Sequence, residues 1–124
     1  MQLLIDFTIE YLKKNTSHKK VINNQELDEL LQVSLGCNPI GDGGIRNIIH
    51  QIRTKHTIQT EEGNKGWVCA SNEGYYVTYN PYLILKHLEQ FEGKIKKMVH
   101  VHRKGMSLLT EKLYFKQLEM DFKS

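Results

Sequence analysis

Arg46, Asn47, His50, Gln51 and Thr54 are the side chains in this sequence best suited to reading another molecule. A guanidinium can give two parallel hydrogen bonds to guanine, and a carboxamide can pair with an adenine edge. Their spacing gathers them. Ile45, Ile48, Ile49 and Ile52 recur at i, i+3, i+4 and i+7, which defines one apolar face of a helix. The five polar residues fall on or beside the opposite arc, with Arg53 and Lys55 at its edges. No Asp or Glu occurs from position 43 to 60. A solvated face opposite a core stripe is the bland reading of such a helix. The absence of acids favours contact with an anionic surface. Arg53 and Lys55, together with Lys19 and Lys20 ahead of the preceding helix, suit phosphate oxygens; such contacts would position the chain without reading sequence. Asn72, in an expected hairpin tip, joins the candidate DNA contacts.

Other chemistry finds little footing. His100 and His102 are two apart and would point about 200° away from each other on a helix, so they cannot share one ion. Cys37 and Cys69 have no cysteine neighbour of the kind structural zinc sites use, and they read as reduced thiols. Gly41-Asp42-Gly43-Gly44 lacks the Lys-Ser/Thr of a phosphate-binding loop. There is no nucleophile elbow. The expectation is therefore no catalytic residues, no metal and no cofactor.

The second concentration of charge is Lys94 to Lys104. Lys94, Lys96, Lys97, Arg103 and Lys104 stand there with no acid, while residues 61–93 hold two bases against five acids. The whole chain of 124 residues carries only +3. This basic stretch suits phosphate or an acidic partner, the alternative being a solvated helix face. Forty per cent hydrophobic and 25% charged residues are globular proportions, and the length fits about one domain. No window approaches the roughly 18 apolar residues of a membrane span. The start, Met1-Gln2-Leu3-Leu4-Ile5-Asp6, lacks the basic region of a signal peptide, so a cytoplasmic setting is expected.

Several elements must position these residues. Leu4, Ile5, Ile9 and Leu12, with Phe7 and Tyr11 one ridge over, predict a helix over 2–14 that ends in basic residues. Val21-Ile22 could lie extended. Asn23 stands three residues before Glu26, a capping spacing, and Leu27, Leu30 and Leu31 stripe a second helix over 24–33. Gly36 to Gly41 reads as a loop. Asp42 is expected to cap a third helix over 44–55, with Gly43-Gly44 easing its entry. Trp67–Ala70 and Tyr75–Tyr79 predict two strands joined by Ser71-Asn72-Glu73-Gly74. Of Tyr75 and Tyr76, one should face the core and the other the outside, and Trp67 should be core. Asn80-Pro81 marks a helix start. Ile84, Leu88, Phe91, Ile95, Met98 and His102 follow at alternating four- and three-residue steps, and Met106, Leu109 and Leu113 resume after a four-residue shift. Gly105 is the expected break or bend, after which 105–124 either continue the helix or fold back. Phe115, Leu118 and Phe122 keep the end apolar, so these C-terminal helices are expected to pair two copies of the chain, the alternative being that they pack back on the first domain.

The order of elements implies an α+β, mainly helical fold: a winged helix-turn-helix with a two-stranded wing over 1–80, then a C-terminal helix or helix pair over 81–124. Residues 43–79 resemble a family of phage and prophage winged-helix proteins. The resemblance rests on Ile45-Arg46, Ile49, Ile52-Arg53 and the run Cys69-Ala70-Ser71-Asn72-Glu73-Gly74-Tyr75-Tyr76. It implies double-stranded DNA binding in a bacterial host cell, by a regulator or a replication-associated protein. The rival expectation is a winged-helix module that grips a host protein. The acidic 61–93 segment, with Glu61, Glu62 and Glu73, favours that rival.

Overall fold

A computed structural model describes residues 1–123, with the side chains of residues 1–114, 116 and 117. Three helices come first: α1 (Gln2–Asn15), α2 (Asn24–Leu35) and α3 (Gly41–Lys55). Three strands follow, β1 (Ile58–Gln59), β2 (Lys65–Ser71) and β3 (Gly74–Thr78), and then α4 (Pro81–Lys123). The fold is thus α+β and mostly helical, with one small antiparallel sheet in the order β1-β2-β3. By their internal contacts, residues 1–87 form one compact unit and the chain from Leu88 onward a second.

The first unit closes around the isoleucine stripe. Ile45, Ile48, Ile49 and Ile52 are all at most 2% exposed. Burying an aliphatic side chain of this size contributes about 1.5–3 kcal/mol, so this face anchors the unit. Ile5 and Leu12 of α1, Leu27 and Leu31 of α2, and Val68 and Val77 of the sheet complete the core. Leu4, Ile9 and Leu30, expected in the core stripes, are only partly buried. Thr8 takes a core position on α1 that no apolar pattern foretold. Its hydroxyl donates to the Leu4 carbonyl at 2.6 Å, so the buried oxygen costs little.

The helix ends show local and long-range capping. Asn23 accepts from the Glu26 N–H at 2.8 Å, as the spacing predicts. Gly36 ends α2 at φ +65°, a left-handed conformation natural to glycine, and its N–H reaches the Gln32 carbonyl. The start of α3 departs from expectation. It begins three residues earlier, and Asp42 lies inside its first turn rather than capping it. Asp28, from the middle of α2, takes the role. Its two carboxylate oxygens accept from the Ile40 and Gly41 N–H groups at 3.0 and 2.9 Å. An anion at a helix N-terminus also meets the positive end of the helix dipole.

The Ile40 and Gly41 N–H groups, the largest influences, hold the Asp28 carboxyl below its ordinary pKa, with the Gln32 amide helping. A depressed carboxylate pKa stabilises the fold above the unfolded value of about 3.9. That stability is lost as pH falls through the folded value. Asp28→Asn should therefore lower the urea midpoint near neutral pH, and the gap from the parent should shrink in acid. A gap of equal size at both pH values would show that the carboxylate charge is not what holds α3.

Two further features were not foreseen. β1 adds a third strand to the expected two-stranded hairpin, pairing Ile58 with Gly66 and Gln59 with Lys65. Two residues with one buried isoleucine are too short to leave a strand signature. Ile22 and Tyr75 exchange both backbone hydrogen bonds, at 3.0 and 2.8 Å, so the extended residue ahead of α2 joins the free edge of β3. The Thr16 hydroxyl ties α1 to the same strand: it donates to the Leu12 carbonyl and accepts from the Val77 N–H.

α4 starts where expected, with the Asn80 side chain accepting from the Tyr82 N–H at 2.9 Å. It then runs unbroken through Gly105. A single glycine costs a helix about 1 kcal/mol relative to alanine. Its neighbours Lys104, Met106, Leu108 and Leu109 are good helix formers and absorb that cost. The side chains of Phe115, Leu118 and Phe122, expected to add to the apolar end, lie outside those described.

Candidate nucleic-acid interface

α3 sorts its residues by face. With the isoleucines inward, Arg46, Asn47, His50, Thr54 and Lys55 are exposed. Gln51 is half-buried at the margin. Among the described residues, neither Arg46 nor Lys55 forms an ion pair; the ion pairs present join Lys13 and Lys14 to Glu10, and Lys96 to Glu92. The Thr54 hydroxyl donates to the His50 carbonyl one turn back, at 2.9 Å. Its oxygen remains an acceptor, and the hydroxyl can rotate away. The face therefore offers a guanidinium, a carboxamide, an imidazole, a hydroxyl and an ammonium within four turns of helix.

Arg53 is placed differently from its sequence neighbours. It turns inward, and its Nε donates to the Val68 carbonyl on β2 at 2.9 Å. The guanidinium lies over the Trp67 ring at 6.0 Å. Burial pulls its pKa down, against the opposing influences of Tyr75 and Cys69. Arg53 thus locks α3 to the sheet, the opposite of the outward phosphate contact its position at the edge of the arc implied. Helical spacing alone cannot separate these roles, because a long side chain at the stripe's margin can swing either way.

Trp67 is half-buried, and its indole N–H donates to Nδ1 of the buried His87 at 3.2 Å. That bond requires an unprotonated Nδ1. Tyr75 and Tyr76 do not divide into one core and one exposed ring: both are half-buried. Burial raises the pKa of both hydroxyls. Tyr75 also feels the charges of Arg53, Arg46 and Asp42 on α3. Burial raises the Cys69 thiol as well, which leaves it protonated and inert.

The flanking candidates occupy two turns. Lys19 and Lys20 are exposed in a tight turn closed by reciprocal Ser17–Lys20 backbone bonds. Asn72 and Glu73 are the two residues of the β2–β3 turn. The Ile22–Tyr75 bridge brings the two turns to the same edge of the sheet, since each lies within a few residues of it. A cation was also overlooked. Lys65, at the start of β2, lines an open cleft of about 390 Å³ with Lys55, His56 and Trp67. Its position amid the acids of 61–93 hid it, because only β2 returns it to the end of α3. In the second unit Lys94, Lys96, Lys97, Arg103 and Lys104 are all exposed on α4, and Lys96 is paired with Glu92 at 3.2 Å.

No cluster of three or more His, Cys, Asp or Glu that could hold a metal occurs among the described residues. No helix among them is long and apolar enough to cross a membrane. No protein-family model, curated protein or solved structure matches the chain.

Proposed function

We propose that this chain is a winged-helix protein that binds double-stranded DNA, with α3 entering the major groove. The observation that carries the reading is the outer face of α3. Arg46, Asn47, His50 and Thr54 stand exposed opposite a fully buried stripe, and no acid follows Asp42 of the first turn until after residue 60. Such a helix fits the width of a major groove, and these side-chain types match base edges. The order helix, extended residue, helix, helix, hairpin supports the winged-helix assignment. So does the pairing of that extended residue with the second hairpin strand. The phage-type resemblance points the same way, towards a regulator or a replication-associated protein in a bacterial cell. Lys19, Lys20, Lys55 and Lys65 would carry phosphate contacts, and Asn72 would approach the backbone from the hairpin.

One observation favours a second reading. The hairpin turn presents Glu73, and Glu61 and Glu62 are exposed in the β1–β2 turn. Carboxylates are poor neighbours for phosphates, and a protein-binding module would use them. The decisive experiment is fluorescence anisotropy with a random-sequence 30-base-pair duplex at two salt concentrations. The DNA reading expects micromolar affinity that falls steeply with salt, because each phosphate contact releases counterions. No binding at low salt by the folded protein would overturn it and direct attention to protein partners through the acidic turns.

A further inference from the structure

Among the described residues, the second unit presents an exposed apolar stripe. Leu88, Phe91, Ile95, Met98, His102, Met106, Leu109 and Leu113 follow one another over twenty-five residues in seven steps, about 3.6 residues per step. That is the period of an undistorted helix, so these side chains stay on one face for roughly 38 Å at 1.5 Å per residue. Every one of them is exposed, Ile95 at 51% and Met98 at 70%. A helix with such a stripe needs a partner, and the charges beside the stripe say which.

On one flank stand, in order, Glu89, Glu92, Lys96 and Arg103. The first half of that flank is acidic and the second half basic. The other flank holds Lys94 and Lys112 with Val101 and Gly105, and no acid. In a parallel helix pair each flank lies beside the opposite flank of its partner: Glu92 and Lys96 would both lie near Lys94 of the second copy, and Arg103 would lie beside Val101 and Gly105 with no acid in reach. In an antiparallel pair each flank meets its own counterpart running the other way. Reversal then brings the acidic half against the basic half, twice by symmetry.

We infer that two copies of this chain pair through α4 in an antiparallel arrangement centred between Ile95 and Met98. Ile95 packs on Met98 of the second copy, Phe91 on His102, and Leu88 on Met106. Glu89 and Glu92 of each copy face Arg103 of the other. Lys96 sits near the two-fold axis, held by its own Glu92 at 3.2 Å. The pairing does not depend on DNA and stands apart from the reading of α3.

The test uses the full chain without DNA. Sedimentation equilibrium should show a concentration-dependent dimer, and Met98→Glu should shift it to monomer while leaving the thermal unfolding of the first unit unchanged. Arg103→Glu should weaken the dimer about tenfold, as expected for losing ion pairs that occur twice. Adding Glu89→Lys and Glu92→Lys to the same chain should restore it. Orientation is read by disulfide trapping in a Cys37→Ser background, Cys69 being sealed in the core. Mixed Leu88→Cys and Met106→Cys chains should cross-link to each other. Dominant self-linkage of Leu88→Cys chains would show a parallel pair and overturn the arrangement. A monomer at high protein concentration, or an assembly larger than two, would overturn the pairing itself.

Discussion

Replacing Arg46 and Asn47 together with alanine should reduce duplex affinity by two orders of magnitude or more and leave the fold intact. Each side chain is exposed, and neither contributes to the core cluster. Their loss therefore removes no packing. If α3 lies in a groove, each bidentate base contact is worth about 1–3 kcal/mol, and two such losses multiply in the binding constant. Arg53→Met is the control that separates contact from architecture. Its guanidinium holds the Val68 carbonyl, so its loss should cost about 1.5–3 kcal/mol of stability, the range for a hydrogen bond to a charged group. Its effect on affinity measured well below the unfolding midpoint should be small. Anisotropy titrations paired with urea denaturation of both variants give the answer. Unchanged affinity in the double variant would remove α3 as the reading helix, whatever else the chain binds.

Gly74→Ala should be among the most destabilising single-methyl additions in the first unit. Gly74 has φ +150°, a backbone conformation that other residues rarely adopt. A Cβ there would stand 2.6 Å from the Ile22 carbonyl carbon and 2.8 Å from the Asn23 nitrogen. Both obstacles are backbone, and Asn23 is also the residue that caps α2. Relief requires opening the Ile22–Tyr75 bridge or shifting the start of α2. The expected cost is about 2–4 kcal/mol, the range for strain combined with a lost native contact. Against a typical total of about 5–15 kcal/mol, that is a large share. Urea unfolding followed by Trp67 fluorescence measures it. A loss under about 0.5 kcal/mol would mean that the hairpin and the extended residue are not locked together.

These two variants sit on opposite sides of what can be read from residue order. The α3 face was legible because its information is local. Four isoleucines at helical spacing define the buried side, and whatever remains must face outward. The Asn23 and Asn80 caps were legible for the same reason, since each bond spans two or three residues. The hairpin followed from β-branched and aromatic runs around a short polar turn.

Other features depend on neighbours distant in the chain. Asp28 caps α3 across twelve and thirteen residues, and nothing in the run around Asp42 could announce that a carboxylate from α2 would arrive first. Lys65 joins the end of α3 only because β2 pairs back onto β1. Arg53 and Lys55 have similar sequence credentials, yet one is clamped to β2 and the other faces solvent. That choice was set by the proximity of Val68 and Trp67.

Sequence alone determined the four helices and the two hairpin strands to within a few residues, the isoleucine stripe that is buried and the face of α3 that is free. Those properties follow from periodicity and from bonds that close within a single turn. Tertiary structure decided which carboxylate caps α3, which arginine is structural and where Gly74 must remain a glycine. In each case the deciding partner lies a dozen or more residues away, and only packing around the isoleucine stripe brings it within hydrogen-bonding or van der Waals distance.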